Sequence, residues 1–189
     1  MDDKDRYIIR ALECDGRTPY EVLAKELGMT GMAVKKRIKK LIVNNILFIG
    51  AQLNTQELGY SLNLILLEVD TQAHLHEIKS AFIGCPRVVN MFAGLGGYNL
   101  VVLVLAEDRP TLESELMGNC SLRTREGIRR SEIIQIEEKI YSPFVSIRNS
   151  LATRDKNTAP CGIACDSCNR YKVKGCLGCP STIFYRGDL

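Results

Sequence analysis

Apolar residues in the first 44 positions recur at the spacing of short amphipathic helices. The first helix is predicted over residues 4–14, and the turn signal Asp15-Gly16 ends it. The second is predicted over residues 19–27, with Thr18 as its cap and Pro19 at its first position. Its core-facing residues are expected to be Val22, Leu23 and Leu27.

A third helix is predicted to begin after Gly28, with Thr30 as its cap. Its buried stripe is expected to be Val34, Ile38, Leu41 and Ile42. Its exposed face is expected to carry Gly31, Met32, Lys35, Lys36, Lys39 and Lys40. Two helices joined by a short glycine turn form the unit that places its second helix in the DNA major groove. We therefore predict that Thr18, Thr30 and this exposed face bind double-stranded DNA.

Beyond the helices, the pattern changes to one of strands. The apolar run 46–53 predicts a strand, and residues 54–61 read as a polar hinge. Further strands are predicted at 62–69, 86–92, 100–106 and 128–140, with helices at 74–83 and 110–117. This βαββαβ order folds as a four-stranded antiparallel sheet with both helices on one face. The uncovered face predicts a homodimer, which a helix-turn-helix protein also needs to bind paired half-sites.

These elements predict an α+β protein with three folded parts and two connections. The parts are a winged-type helix-turn-helix domain at 1–49, a βαββαβ ferredoxin-like domain at 62–141 and a cysteine-rich module at 160–189. The connections are a strand and hinge at 50–61 and a polar linker at 142–159.

Charge supports the DNA-binding prediction through its position rather than its total. The formal net charge is only +3 over 189 residues. Five basic residues fall within positions 35–40, however, and no Asp or Glu occurs between Leu27 and Gln56. Such a block on the second helix of a pair favours phosphate binding over a merely solvated lysine face.

Composition excludes several classes of protein. Hydrophobic residues make up 46% and charged residues 25% of the chain, as in proteins that bury ordinary cores. No apolar run approaches the roughly 18 residues of a membrane span, and the polar start MDDKDR is unlike a signal peptide. We therefore expect a cytoplasmic protein without a membrane partner.

The sharpest chemical signal is a cluster of cysteines near the C-terminus. Cys14, Cys85 and Cys120 are isolated in sequence and are expected to be small core residues. The other five follow the spacing C-x3-C-x2-C-x7-C-x2-C: Cys161, Cys165, Cys168, Cys176 and Cys179. A short segment with few apolar groups buries little, and metal ligation commonly replaces the missing core.

Two kinds of metal centre fit this spacing. Each CxxC pair can place two thiolates on one cation, which predicts a tetrahedral zinc site. Five cysteines exceed the four that zinc needs, so the alternative is an iron–sulfur cluster on Cys161, Cys165 and Cys168 with either Cys176 or Cys179. A third possibility is a disordered tail with free or oxidised thiols.

The order of parts over about residues 4–140 resembles the Lrp/AsnC (feast/famine) transcriptional regulators. The phrases that carry the resemblance are DGRTPYEVLAKELGMTGMAVKKRIKKL and GGYNLVVLV. It implies a dimer, often assembled further, that binds operator DNA and senses a small effector, usually an amino acid, at the glycine loop of its RAM domain. The implied effector residues are Gly94, Gly96, Gly97, Tyr98 and Asn99.

This loop departs from the family pattern, which commonly reads Gly-Asp-Tyr-Asp. The chain has Gly-Gly-Tyr-Asn at 96–99, so two carboxylates that could bind an amine are absent. The loop is equally compatible with a tight hairpin that needs positive φ at Gly94, Gly96 and Gly97.

The function predicted from the sequence is sequence-specific DNA binding that regulates transcription, modulated by an effector or by metal or redox state at the cysteines. The alternatives are a regulator with a purely structural zinc tail and a haem-modifying, decarboxylase-like enzyme on the same fold. No nucleophile–base arrangement or carboxylate pair supports the enzyme. We therefore predict no catalytic residues.

Overall fold

The computed structural model describes residues 1–189, which divide into two units, Met1–Ala51 and Gln52–Leu189. The first unit, called the head below, contains α1 (Asp3–Cys14), α2 (Tyr20–Leu27) and α3 (Gly31–Val43). The three predicted helices are confirmed. They form because their apolar residues, at helical spacing, pack together in one core. Ile8 and Val34 are fully buried there, and Leu23 is nearly so.

Two residues predicted to face this core lie on the surface instead. Val22 and Ile42 are exposed, and Ala24 takes the buried place on α2 beside Leu23. The turn before α2 also differs from the prediction. Thr18 does not cap the helix: its hydroxyl donates to the carbonyl of Asp15, and Pro19 occupies the cap position in extended conformation.

The prediction of a strand over 46–53 was wrong. Only β1 (Leu53–Asn54) is a strand, and it pairs with β6 (Phe144–Val145). Residues 46–51 have no regular structure, and Phe48 is largely exposed. High β-propensity does not form a strand without a partner, and the head offers none. The head is therefore a three-helix unit without a wing.

The second unit is built on the predicted βαββαβ sheet. Its elements are β2 (Ser61–Val69), α4 (Gln72–Phe82), β3 (Val88–Ala93), β4 (Leu100–Ala106), α5 (Arg109–Met117) and β5 (Ile128–Ile136). The strands are antiparallel in the order β3-β4-β2-β5. The last strand ends at Ile136 rather than at the predicted Ile140.

One face of the sheet carries the larger core of the second unit. Ile65, Leu67 and Val102 pack there with the predicted inward residues of α4: Leu75, Ile78 and Phe82. The opposite face is also apolar but less covered. Leu64 and Leu66 on β2 are half-exposed, and Phe92 and Ile134 on the outer strands are exposed.

Residues 52–141 of the second unit are called the sheet domain below, and residues 142–189, called the tail, pack on it. The predicted linker 142–159 is not a free connection: the Arg148 guanidinium donates to the carbonyls of Ile83, Cys85 and Val88 at 2.6–2.8 Å. Tyr185 and Leu189 are buried against Leu62 and Leu105. The tail thus shares the core of the sheet domain.

The tail adds one short helix, α6 (Asn169–Lys172). No helix of the chain is both long and apolar enough to cross a membrane.

Candidate DNA-binding helix and thiol cavity

The start of α3 is fixed as the sequence predicted. The Thr30 hydroxyl accepts a hydrogen bond from the Ala33 amide at 3.2 Å, which caps the helix. Buried Val34, Ile38 and Leu41 hold α3 against the other two helices. The opposite side of α3 is consequently turned outward.

That outward side carries the predicted basic surface. Met32 and the four lysines are exposed, whereas Gly31 is half-buried. The lysines are Lys35, Lys36, Lys39 and Lys40. None of them makes a salt bridge, so their charges are available to a polyanion.

Arg37 differs from its lysine neighbours, although it belongs to the same basic run. Its guanidinium lies 2.8 Å from carboxylate oxygens of both Asp2 and Asp5 at the start of α1. The two carboxylates raise the pKa of Arg37, while the Asp5 amide and Arg37 lower the pKa of Asp2. Arg37 thus ties α3 to α1 and leaves the basic surface to the lysines.

The glycine loop at the implied effector site is bound to its own sheet. The Asn99 side chain donates to the Val69 carbonyl and accepts from the Val69 amide, both at 2.8 Å. Tyr98 donates to Glu132 at 3.0 Å, and Arg130 covers its ring. Of the three glycines, only Gly96 has the positive φ expected. The effector role of the loop stays a prediction.

Seven of the eight cysteines border one cavity of about 70 Å³ in the second unit, called the thiol cavity below. They are Cys85, Cys120, Cys161, Cys165, Cys168, Cys176 and Cys179. The expectation that the three isolated cysteines are small core residues was wrong for Cys14, which lies exposed on the head. The other two, Cys85 and Cys120, are only partly buried and join the C-terminal cluster at the cavity.

Both the sheet domain and the tail supply walls of the thiol cavity. Cys85 follows α4 and Cys120 follows α5, while the other five thiols come from the tail. Side chains of α5 fasten the tail in place: Ser114 donates to the Gly175 carbonyl at 2.9 Å, and Thr111 accepts from the Leu177 amide at 3.2 Å. The cavity is therefore part of the packed second unit.

Backbone groups lie close to sulfurs of both CxxC pairs. The Gly178 amide donates to the Cys176 sulfur at 3.4 Å. The backbone groups of Cys179 and Ser181 lower the pKa values of the Cys165 and Cys179 thiols, although burial outweighs them. Gly178 can make this turn because its φ is +86°, and a Cβ there would lie 2.8 Å from the Phe184 carbonyl oxygen.

Burial keeps several of these thiols protonated. Burial raises the pKa of Cys85 to about 12 and that of Cys179 to about 11, and it also raises the pKa values of Cys120 and Cys165. Neighbouring sulfurs add to each shift. The nearby sulfur of Cys161 contributes to each of these four shifts.

A buried charged network adjoins the thiols. Arg87, in the cavity wall, makes two hydrogen bonds of 2.8 and 2.9 Å to Glu107, which also accepts from Tyr185. Burial alone would lower the pKa of Arg87, but the carboxylates of Glu107 and Glu115 outweigh it and raise that pKa. No local pattern in the sequence indicates this network, because its members lie far apart along the chain.

Glu115 is the unsatisfied member of the network. Its Oε1 lies 3.1 Å from Arg87 Nε, yet neither carboxyl oxygen has a hydrogen-bond partner and both are buried. Burial raises its pKa well above the usual value. A carboxyl group without a hydrogen-bond partner therefore faces the thiol cavity.

The thiols border the cavity but do not form a ready-made ligand set for one ion. No three Cys, His, Asp or Glu side chains lie together as ligands of a single metal ion. The zinc and iron–sulfur expectations both stay predictions. Sequence reasoning did not connect Cys85 and Cys120 with the cluster, because only tertiary packing brings them to it.

Comparisons with known proteins agree with this architecture. Residues 1–42 match the AsnC-type helix-turn-helix domain. The chain is 31% identical over 121 residues to the HTH-type transcriptional regulator LrpA of Pyrococcus horikoshii, covering 63% of this chain and 84% of that protein. It is 24% identical over 140 residues to the regulator FL11 of Pyrococcus furiosus, covering 74% and 93%.

Solved structures share the fold. The structure of AsnC from E. coli superimposes with a TM-score of 0.64 at 20% identity. The match covers 75% of this chain and 95% of AsnC. About a quarter of this chain is therefore additional to what it shares with AsnC.

A lysine-bearing helix-turn-helix joined to a ferredoxin-like sheet defines a DNA-binding transcriptional regulator. The chain belongs to the Lrp/AsnC family of these regulators. Its relatives are named as transcriptional regulators, which favours this class over the haem-modifying enzyme.

Proposed function

We propose that the chain binds operator DNA as a homodimer through α3 and that the state of the thiol cavity modulates this binding. The observation that carries the DNA-binding surface is the exposed, unpaired row of four lysines on a helix whose other side is buried. Lys35, Lys36, Lys39 and Lys40 contact phosphates or base edges, and Met32 lies beside them on the same surface. Thr30 and Gly31 place the amides of the helix start against the backbone of the DNA.

The salt dependence of DNA binding tests this surface. Replacing the four lysines together by Gln removes charge without disturbing the core, because all four side chains are exposed. The slope of log affinity against log salt should fall by about 0.9 for each phosphate that is no longer neutralised. Lys4→Gln, at an exposed lysine of α1, is the matched control. An unchanged slope in the quadruple variant would mean that DNA binds to a surface other than these four lysines.

The homodimer proposal rests on the apolar outer face of the sheet. Four strands meet water there through half-exposed or exposed side chains, such as Leu64, Val101 and Ile134. A second copy of the chain would bury them in a symmetric interface. Ile134→Glu should therefore shift the sedimentation of the protein from dimer to monomer. Ile140→Glu, at a more exposed isoleucine after the sheet, should leave the dimer intact.

An effector could act on the same sheet. The loop 94–99 lies at the end of β3 and β4, and the family resemblance implies an effector there. Amino acids can be screened by thermal shift, with Tyr98→Phe as the variant that lacks the hydrogen bond to Glu132. Stabilisation by one amino acid that is absent in the variant would support the effector role, and no stabilisation by any would contradict it.

A further inference from the structure

The thiol cavity brings together side chains that the regulator fold does not require. Thiols are soft metal ligands, and seven on one cavity exceed the four that a single tetrahedral zinc site uses. Two of them, Cys85 and Cys120, belong to the sheet domain, and five belong to the tail. The thiols around a centre here would therefore join the two parts of the second unit.

The space between the thiols is larger than one ion needs. A cavity of about 70 Å³ has room for several atoms beyond the protein. A single zinc ion would need four sulfurs drawn to about 2.3 Å from one point. A cluster of iron and inorganic sulfide spreads its metal–thiolate bonds over several corners, which matches thiols contributed from different sides of the cavity.

The surroundings suit an anionic cluster. A cluster with four thiolates carries net negative charge, which buried donors and cations stabilise. The Gly178 amide already points to the Cys176 sulfur in the cavity wall. Arg125 donates to the Cys161 carbonyl at 3.0 Å, and its buried Nε has no partner.

Glu115 is an independent sign that the cavity receives something. Its carboxyl oxygens are buried at the cavity wall without any hydrogen-bond partner. Leaving such a group unsatisfied is generally destabilising.

We propose that the thiol cavity binds an iron–sulfur cluster whose site is completed by both the tail and the sheet domain, with Cys161 as one of its four ligands. Each ligand thiol gives its proton to solvent as its sulfur bonds to iron. Cys165, Cys176 and Cys179 are the other three ligands, and Cys85 and Cys120 enclose the cluster from the sheet domain. The inference deepens the proposed function and rests on it, since it names the group whose presence the regulator would sense.

Metal and sulfide analysis tests the cluster. The full-length protein is purified without oxygen, before and after incubation with iron salts, sulfide and dithiothreitol, and its iron, zinc, acid-labile sulfide and visible absorption are measured. Iron and sulfide in equal amounts, with the broad visible absorption of a brown protein, are expected. Zinc without sulfide in every preparation would overturn the cluster in favour of a single-ion site. Disulfides without metal would overturn any metal site.

Cysteine variants test which parts hold the cluster. Cys161→Ser should lose nearly all iron and sulfide, while Cys14→Ser, on the head, should keep both. The double variant Cys85→Ser, Cys120→Ser should retain the cluster about 10–100-fold less tightly, measured as the rate of iron loss to a chelator. If the double variant lost iron no faster than the unmodified protein, the sheet domain would have no role in holding the cluster. Amide hydrogen exchange of the tail separates loss of the cluster from loss of packing.

The readout keeps this inference separate from the proposed function. Iron and sulfide content are measured without DNA, and the lysine variants of α3 leave the cavity unchanged. A protein that binds iron and sulfide but whose DNA affinity does not depend on them would leave the cluster standing and refute the modulation alone.

Discussion

The head and the thiol cavity carry chemistry in opposite ways. In the head, one helix supplies all four exposed lysines, and its own buried stripe positions them. In the second unit, residues from α4, α5 and the tail meet only after the whole unit has folded. The comparison teaches that a surface for a repetitive partner such as DNA can be encoded in one stretch, whereas an enclosed site is assembled from distant ones.

The largest effect is expected where the second unit buries charge. Arg87→Met leaves the Glu107 carboxylate buried without its guanidinium, which should lower the free energy of unfolding by about 3–5 kcal/mol. Arg109→Met removes the exposed partner of Glu113 and should cost below about 1 kcal/mol. Urea unfolding of the second unit measures both. Equal costs would mean that the network beside the cavity is not a buried one.

The next largest difference between the head and the thiol cavity is expected in the stability lost when a buried side chain is truncated. Leu23→Ala in the close-packed head should cost about 2–5 kcal/mol. Cys165→Ala in metal-free protein should cost about 1 kcal/mol, because its sulfur borders space that is already empty. Amide hydrogen exchange on peptides from each unit reads the two separately. The cost of Cys165→Ala should rise once iron and sulfide are supplied, and a cost that stays constant would argue against a bound cluster.

The pH dependence of stability tests Glu115. Its pKa is raised in the folded protein above the usual 4.5, so the folded state holds this proton more tightly than the unfolded state. The contribution is fully present below pH 4.5 and is lost as pH rises toward the folded pKa. Glu115→Gln cannot ionise and should flatten that fall in the urea midpoint. A fall of unchanged steepness would assign the pH dependence to another group.

The smallest effect is expected within the basic run of the head. Lys36→Gln should reduce the salt slope of DNA binding by about 1. Arg37→Gln should leave the slope nearly unchanged, because Asp2 and Asp5 already hold that guanidinium. Filter binding over a series of salt concentrations compares the two variants. Equal reductions would move Arg37 onto the DNA-binding surface.

The spacing of apolar residues predicted most of the helices and strands, because these elements depend on residues that are close in sequence. The helices of the head, the strand Leu100–Ala106 and the order of the sheet follow from apolar spacing. The run 46–53 misled because β-branched residues favour a strand only where another strand is present. The polar segment 142–159 was predicted to be a free linker, but it is bound to the sheet domain. Arg148 satisfies three carbonyls of the sheet domain and holds that segment against it.

Of the two candidate sites, the sequence predicted the DNA-binding surface but not the full set of residues at the thiol cavity. The lysines of α3 could be found from the sequence because the buried residues of α3 recur with the helical period, which leaves the lysines on the opposite face. Cys85 and Cys120 could not, since each is a single cysteine after a helix and nothing local connects it with the C-terminal spacing. Glu115 and Arg87 likewise read as ordinary charged residues until burial makes their pairing matter.

The most direct test of a regulator governed by its thiol cavity is the DNA affinity of one preparation with and without iron and sulfide. Both samples are titrated against the same operator DNA at one salt concentration, after their cluster content has been measured. The proposal predicts affinities that differ by about 5–150-fold, the usual range for coupled sites. Equal affinities of loaded and metal-free protein would contradict it.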